Sequence, residues 1–525
     1  MVKVLKAKDQ CVGFALWFVI ASISWTCSGA AVLAQPGSSP AGRYKTEEVL
    51  LGPIYWYSMA NQAPFDVVTS ADGRHVAYDT RIECEKKSMC VYVDGKRVAV
   101  TEDTVGMSVA LSPDGAHIAY VAARKGKAWV MLDGHEASPE YKGDGFLTGP
   151  TSLVFSPDGQ HLAYVAATEG PGHSHQVVLD GKGGEGYDGI QSLIFSPDGK
   201  RKAFAARTGK KWSVVVDGQA GFAYDQVVGP AFSPDGGSVI YAARQDKAWT
   251  MVVNGHAGAA YSYLPGEALI GEQVIGNKDL IPAHWSTVSR PSNSTAVLLN
   301  TGYMGPIGFQ YLNTVAFSGD GKHLAYTATW GSKWLVVRDG QNGQEYEKIG
   351  IGSPALSPDG KHLAYSVKTC CFTKEGPWKM SLDGQEGEGF DKMFNPSFSP
   401  DGKHLAYAIE KPEFGKMKDW AVVEDGQVGE RGAAVGNWAF SPDSRHFAYA
   451  AKTREGFSTD DPWGGGGWQV FLDGKAGDEY TVIIPNTMVF DSDGTLEFLA
   501  IRKEGHSLVE CRGSLYRVKY APGRQ

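Results

Sequence analysis

One nine-residue string constrains this chain more than any other feature. It reads SPDGKHLAY at Ser357–Tyr365 and returns unchanged at Ser399–Tyr407. Near copies, of which the last is degenerate, begin at Ser70, Ser112, Ser156, Ser196, Ser233, Ser318, Ser441 and Asp491. The first five starts are 42, 44, 40 and 37 residues apart, and the last five are 39, 42, 42 and 50 apart. A steady period of this length indicates a chain built from repeated supersecondary units.

One such unit, residues 153–190, reads as four strands. The apolar run Leu153–Phe155 leads into Ser-Pro-Asp-Gly, in which proline suits a type I turn and glycine supplies a left-handed residue. His161–Ala166 is the return strand, and Gln176–Leu179 is a third strand rich in β-branched residues. Asp180-Gly181 is a two-residue hairpin signal, and Gly186–Asp188 is a short fourth strand. Four antiparallel strands in about 40 residues predict a β-propeller blade and therefore an all-β fold.

The number of units is less clear than their type. The step from Ser233 to Ser318 is 85 residues, about twice the period, and predicts a degenerate repeat at Val274–Leu312. Eleven units exceed the four to eight blades usual in one ring. We therefore expect two propellers in tandem, residues 44–264 and 313–525, separated by the degenerate repeat and a junction at 265–312. One large ring is the alternative. The segment Val49–Tyr57 resembles a fourth strand and is expected to help close a ring.

The ten clear repeats resemble the Pro-Asp type of WD-like repeat of the TolB-like propellers, which also occurs in the propellers of prolyl-oligopeptidase-type enzymes. The resemblance covers Val67–Tyr520 and implies a β-propeller fold. It implies no single activity, because such propellers carry many functions. The chain departs from the enzymes in having no Gly-x-Ser-x-Gly string. The nearest string, Gly106–Ala110, lies in a predicted inner strand, where a nucleophile elbow does not belong.

An export signal is predicted at residues 1–34. Three lysines precede an uncharged stretch from Cys11 to Ala34, and Val32-Leu33-Ala34 fits a cleavage site. An uncleaved anchor is the alternative, since about 20 apolar residues can span a bilayer. Residues 35–43, rich in Pro, Gly and Ser, are expected to form a flexible tether. The expected location is therefore the periplasm or the extracellular space.

Charge argues against one class of partner. The formal net charge is −8, and loss of residues 1–34, with three lysines and one aspartate, makes the remaining chain −10. Nucleic-acid binding requires a basic surface, so we expect no nucleic-acid partner. A membrane contact is expected only if the N-terminal segment stays uncleaved.

Seven cysteines are present, and five of them follow residue 34. Cys84 and Cys90 flank a short loop between the second and third strands of the first unit, and they predict a cross-strand disulfide in an oxidising compartment. Cys370 and Cys371 are adjacent in the chain. Two loop thiols, a vicinal disulfide and a soft-metal site all remain open for that pair.

Strand order within a blade separates the turns from the variable loops. The turn between strands one and two and the turn between strands three and four share one face, where the Ser-Pro-Asp-Gly and Asp-Gly turns fall. The loops between strands two and three lie on the other face, and they are longest in units seven to nine, at residues 369–377, 410–419 and 453–467. Loops on a rigid scaffold often carry function, although long loops are also tolerated without one. The predicted partner-binding residues in these loops are Phe372, Lys374, Phe414, Lys416, Phe457, Asp461 and Trp463.

The repeat positions of most histidines and tryptophans favour structural roles over functional ones. Seven histidines occupy one repeat position in different blades, cannot converge on a metal, and are expected to be structural: His75, His117, His161, His323, His362, His404 and His446. Tryptophans begin the third strands of most units and are expected to pack between blades. His173 and His175 share one variable loop and are the metal candidates, but no third ligand is evident. We expect no cofactor.

The sequence therefore favours an exported, non-enzymatic β-propeller that binds a protein, peptide or glycan of the cell envelope through its variable loop face. The alternative is a propeller-type hydrolase or lyase with a site in the channel. Such an enzyme needs carboxylates or histidines on inner strands, and the inner strands Leu153–Phe155 and Leu193–Phe195 offer none. A purely structural envelope protein is the third hypothesis.

Overall fold

A computed structural model describes residues 44–57, 67–71, 73–80, 89–101, 109–142, 151–167, 175–262, 284–289, 295–300, 314–350, 352–368, 377–410, 420–452, 467–484, 487–504 and 510–522. The predicted signal at 1–34 and tether at 35–43 lie outside these ranges. Residues 41–525 form one compact unit, and every regular element described in it is a β-strand. No helix in the described ranges is long and apolar enough to cross a membrane.

The chain's first strand, β1 (Tyr44–Tyr57), belongs to its last sheet, and the next five sheets follow in chain order. Blade one contains β2 (Val68–Thr69), β3 (Val76–Thr80), β4 (Met89–Val93) and β5 (Lys96–Thr101). Blade two contains β6 (Val109–Leu111), β7 (Ile118–Arg124), β8 (Lys127–Leu132), β9 (His135–Glu136) and β10 (Tyr141–Lys142). Blade three contains β11 (Thr151–Phe155), β12 (Leu162–Ala167), β13 (His175–Leu179) and β14 (Lys182–Tyr187). Blade four contains β15 (Gly189–Phe195), β16 (Lys202–Thr208), β17 (Lys211–Val216) and β18 (Gln219–Ala220). Blade five contains β19 (Gln226–Phe232), β20 (Val239–Gln245), β21 (Ala248–Val253) and β22 (His256–Tyr261).

The second half repeats this pattern with an insertion at its start. Blade six contains β23 (His284–Ser289), β24 (Thr295–Asn300), β25 (Thr314–Phe317), β26 (Leu324–Trp330), β27 (Lys333–Arg338) and β28 (Gln341–Tyr346). Blade seven contains β29 (Lys348–Ile349), β30 (Ala355–Leu356), β31 (Leu363–Lys368), β32 (Trp378–Leu382) and β33 (Gln385–Phe390). Blade eight contains β34 (Lys392–Phe398), β35 (Leu405–Glu410), β36 (Trp420–Glu424) and β37 (Gln427–Val428). Blade nine contains β38 (Ala434–Phe440), β39 (Phe447–Lys452), β40 (Trp468–Leu472) and β41 (Lys475–Tyr480). Blade ten contains β42 (Val482–Ile483), β43 (Val489–Phe490), β44 (Leu496–Glu504), β45 (Glu510–Pro522) and β1.

The ten blades close into a single ring. Each pair of neighbouring blades shares a cluster of buried apolar side chains, from blades one and two round to blades nine and ten. A tenth cluster joins blade ten to blade one, where Leu51 and Ile54 of β1 pack with Val76 and Tyr78 of β3. The N-terminal segment thus supplies the outermost strand of the last blade, which confirms the predicted ring closure.

The prediction of two tandem propellers, split at residues 265–312, is wrong. Blade five packs directly on blade six, through a cluster that includes Trp249, Tyr261 and Tyr326. The degenerate repeat forms no blade in the described residues: β24 pairs with β25, on the inner edge of blade six, and β23 lies beside β15 and β19. Since blades five and six already bury their facing surfaces against each other, no space for an eleventh blade is left between them.

The Ser-Pro-Asp-Gly turns lie on one face, as predicted. The turn of each blade touches that of the next: the Ala71 amide donates to the Pro113 carbonyl over 3.0 Å, and the Gly319 amide donates to the Pro358 carbonyl over 2.7 Å. Neighbouring turns are also packed together across the expected domain boundary. A Cβ added to Gly321 of blade six would lie 2.7 Å from Oδ1 of Asp235 in blade five.

One testable consequence concerns Gly360 and Gly384, which both have a left-handed backbone, with φ of +69° and +83°. Alanine at Gly384 would meet no atom within 4 Å, so we expect only the conformational cost, roughly 1 kcal/mol. Alanine at Gly360 would place its Cβ 2.4 Å from Cδ2 of His323, which is held by Asp339. We expect Gly360→Ala to lose about 1–3 kcal/mol more than Gly384→Ala in urea unfolding. Equal losses would contradict the packing of neighbouring turns.

Candidate functional site

The Ser-Pro-Asp-Gly and Asp-Gly turns form one face of the ring, here called the turn face. The polar side chains of these turns hydrogen-bond to one another and to the turn backbone. In blade seven the Ser357 hydroxyl donates to Asp359 over 2.6 Å and accepts from the His362 amide over 2.9 Å. Ser357 is fully buried. The hydroxyl and carboxylate therefore stabilise the turn, and the same contacts recur in most blades.

The repeated histidines tie the two turns of each blade together. Nδ1 of His362 lies 2.7 Å from Oδ2 of Asp383, the aspartate of the Asp-Gly turn, while Oδ1 of that residue accepts from the Leu363 amide. All seven histidines make this contact, through Asp94, Asp133, Asp180, Asp339, Asp383, Asp425 and Asp473. Arg201 takes the place of the histidine in blade four and contacts Asp217. The geometry gives these histidines a structural role.

The turn aspartates make the fold sensitive to acid. The Ser318 hydroxyl and the Lys322 amide both donate to Asp320 and lower its pKa from 3.8 to about 2. Such a carboxyl stabilises the folded state above its unfolded pKa, and this stabilisation is lost as the pH falls toward the folded value. We expect the melting temperature to fall between pH 3.8 and about 2, and to fall less in Asp320→Asn. Identical pH profiles for the two proteins would contradict this assignment.

The opposite face, here called the loop face, carries the loops between second and third strands. The strands that flank the three long loops end there in register: Lys368 lies opposite Trp378, Glu410 opposite Trp420, and Lys452 opposite Trp468. Each loop therefore leaves and re-enters the sheet on this face. Blades seven, eight and nine are consecutive in the ring, so the bases of the three loops are neighbours.

The predicted binding residues themselves lie outside the described residues. These are Phe372, Lys374, Phe414, Lys416, Phe457, Asp461 and Trp463. What the structure describes is the platform beneath them, formed by the strand ends on the loop face. The assignment of partner binding to these seven side chains stays a prediction.

Basic side chains cover third-strand tryptophans at the loop face of blades four, five and seven. Lys368 lies over Trp378 at 5.7 Å, and Arg207 lies over Trp212 at 5.8 Å. In blade five, Arg244 lies over Trp249 at 5.9 Å. A cation near a ring face is attracted by the ring quadrupole. Sequence reasoning missed this feature, although in blades four, five and seven a basic residue near the end of the second strand, before the third-strand tryptophan, was a usable signal.

Blade eight contains the most buried charge of the platform. Glu410 is only 5% exposed, and its Oε2 lies 2.8 Å from Nζ of Lys392 on the inner strand. The same ammonium lies 5.7 Å from the centre of Trp420, and Phe394 stacks on that indole at 5.5 Å. This group of side chains holds the ends of the 411–419 loop in place.

One exposed aromatic residue extends the platform toward blade six. Trp330 lies at the tight turn between β26 and β27 and is 55% exposed. It contacts Tyr261 edge to face at 6.3 Å, and the Tyr261 hydroxyl donates to Asn342. Trp330 was not among the predicted site residues, although other blades have polar residues in this short turn.

The remaining predicted sites are only partly described. His173 and Cys84 lie outside the described residues, whereas His175 and Cys90 are inside them. Burial and the nearby positive charge of Arg207 lower the pKa of His175. Cys90 is disulfide-bonded, and Cys84 as its partner stays a prediction. Within the described part of the chain, no group of three or more His, Cys, Asp or Glu side chains could hold a metal ion.

Comparison with known proteins yields structural neighbours only. No family model matches the chain, and no curated protein matches it. A eukaryotic initiation factor shares 12% identity, covering 73% of this chain and 98% of its own, with a TM-score of 0.37. TolB from Acinetobacter baumannii shares 16%, covering 62% of this chain and 77% of its own, at 0.23. Acylaminoacyl peptidase from Pyrococcus horikoshii shares 16%, covering 69% of this chain and 59% of its own, at 0.29. Since these TM-scores are below 0.5, the propeller assignment rests on strand order and blade interfaces alone.

Proposed function

We propose that this protein is an exported, non-enzymatic scaffold that binds a protein, peptide or glycan of the cell envelope through the loop face of blades seven to nine. The observation that carries the proposal is the contrast between the two faces. On the turn face, the repeated serines, aspartates and histidines bond to one another. On the loop face, the strands that flank the three long loops of neighbouring blades end in paired positions, which form a rigid base.

The composition of the loop face supports recognition of a partner. The three loops together hold aromatic residues among charged ones, including Phe414, Phe457 and Trp463 beside Lys416 and Asp461. Aromatic side chains inside a polar rim are typical of interface hot spots. Trp330, on the adjacent blade, adds an exposed indole that is already held in position. Location in the periplasm or outside the cell is part of this proposal and follows from the predicted export signal.

The proposal is tested by shortening the three loops. Residues 369–376, 411–419 and 453–466 are each replaced by the short blade-two turn, Lys125-Gly126. The fold should survive, because loop length affects stability only weakly. Partners captured from an envelope extract by the exported protein should be lost, as measured by quantitative mass spectrometry of the bound fraction.

A matched control changes the opposite face. Lys361 and Lys403 of the turn face are 76% and 78% exposed, and their replacement by serine should leave capture unchanged. The shortened protein must melt cooperatively for the comparison to count. If it captures the same partners as the parent, the loop face is not the binding site, and the central channel becomes the place to test for a hydrolase or lyase.

A further inference from the structure

The outermost strands of the ring change in composition where blade ten meets blade one. The outermost strands of most blades are polar and rich in glycine, such as β14 (KGGEGY), β28 (QNGQEY) and β33 (QEGEGF). Two neighbouring outer strands depart from this pattern. Strand β5 of blade one reads KRVAVT, and β1 of blade ten contains EEVLL at residues 47–51.

The departure exposes apolar surface in one place. Val49 of β1 is 41% exposed, and Val98 and Val100 of β5 are 46% and 48% exposed. Leu50, which is 58% exposed, pairs with Tyr516 and lies on the opposite face of β1, toward blade nine. The other large exposed apolar side chains of the described residues are scattered singly over blades four, six, seven and eight: Phe222, Trp330, Leu382 and Val428. Single exposed apolar residues are ordinary, whereas a group of them marks an interaction surface.

The two strands are neighbours and each has an open edge. A Cβ placed on Gly95, just before β5, would lie 2.8 Å from the carbonyl oxygen of Leu51 in β1. Within the described residues, β1 pairs with β45 alone and β5 with β4 alone. At 14 residues, β1 is also the longest strand described. A long, apolar, unpaired edge strand favours association with another chain.

The charges beside these apolar residues are complementary. Glu47 lies two residues before Val49 of β1, on the same face of the strand, while Lys96 and Arg97 precede the valines of β5. All three are exposed, and none forms an ion pair within the described residues. Glu48 is excluded from this set, because it accepts from Tyr480 of blade nine and from Arg502 of blade ten. One strand thus presents the Glu47 carboxylate beside Val49, and its neighbour presents two basic side chains beside its valines.

We propose that this rim patch, formed by Glu47, Val49, Lys96, Arg97, Val98 and Val100, is a homodimer interface. A two-fold axis brings the same patch of both copies together, so that β1 of each copy meets β5 of the other. Apolar residues then cover apolar residues, and Glu47 of each copy faces Lys96 and Arg97 of the other. A second copy is favoured over an unrelated partner because the patch carries both halves of the charge pairing itself. This inference is independent of the function proposed for the loop face.

The test is the oligomeric state of the exported protein, measured by light scattering and sedimentation velocity across a concentration series. The parent should be a dimer. Val49→Lys should shift the equilibrium toward the monomer, because it buries an unpaired charge. Val428→Lys, on an outer strand of blade eight with 43% exposure in the parent, is the matched control and should stay dimeric.

A charge exchange separates this interface from any other dimer. Lys96→Glu together with Arg97→Glu should raise the dissociation constant by roughly tenfold or more, because like charges then face each other. Adding Glu47→Lys should restore most of the affinity. A parent that is monomeric at all concentrations would overturn the proposal, whether or not the patch captures another protein. A dimer that tolerates Val49→Lys, or a charge reversal that Glu47→Lys fails to rescue, would overturn it as well.

Discussion

Replacement of Trp420 by alanine is expected to lower the free energy of unfolding by about 3–5 kcal/mol. The indole is 2% exposed and lies in the apolar cluster that joins blades eight and nine. Phe394 stacks on it, and the ammonium of Lys392 lies over its ring. Alanine would leave a cavity between two blades and remove the ring that covers the Lys392–Glu410 pair. Urea unfolding followed by circular dichroism measures the loss.

Trp330 provides the matched control for this experiment. It is the same residue type in a neighbouring part of the ring, but it is 55% exposed. Trp330→Ala should lose at most about 1 kcal/mol, the size of its edge contact with Tyr261. If the two substitutions destabilise the protein equally, burial between blades does not explain the role of the third-strand tryptophans. Under the proposed function, Trp330→Ala should instead weaken partner capture.

Closure of the ring should depend strongly on Ile54. Its side chain is fully buried between blades ten and one, in a cluster with Val76 and Leu515. Ile54→Ala is expected to lower the free energy of unfolding by about 2–5 kcal/mol. Because β1 is held by one flanking strand and by this cluster, the substitution should also increase hydrogen exchange along β1 and β45 before global unfolding.

An exposed position on another outer strand is the control for closure. Val428 of blade eight is 43% exposed, and Val428→Ala should change stability by less than about 0.5 kcal/mol. Hydrogen exchange monitored by mass spectrometry distinguishes local opening of β1 from a uniform loss of stability. Unchanged protection in β1 of the Ile54 variant would show that the ring does not close through this strand.

Most of the blade architecture could be predicted because it depends on local chemistry. Ser357-Pro358-Asp359-Gly360 specifies its own turn, and the mainly apolar run that follows specifies a strand whose central residues are all buried. The structural role of the repeated histidines was predictable for the same reason, since His362 and Asp383 belong to two turns that strand order brings to one face. Prediction of the base of the long loops succeeded for the same reason, because each loop begins and ends on adjacent strands.

The number of rings could not be predicted from local sequence chemistry. Residues 265–312 sit at the right spacing for a blade, but spacing says nothing about whether a neighbour's surface is already covered. Blade five packs on blade six through Trp249 and Tyr326, which leaves β23 and β24 on the inner edge of blade six. The pairing of Lys392 with Glu410 and the exposure of Trp330 could not be predicted either, because each depends on the arrangement of several strands.

The sequence by itself thus determined the blade, its turns, and which loops share a face, because these depend on residues fewer than about 40 positions apart. Tertiary structure alone decided that ten blades form one ring, that β1 pairs with β45 in the tenth blade, and that β1 and β5 become neighbours on the rim. Those outcomes require contacts between distant parts of the chain, such as Glu48 with Tyr480, which are 432 residues apart. Local patterns carry no information about such contacts, because it is the fit between whole blade surfaces that selects them.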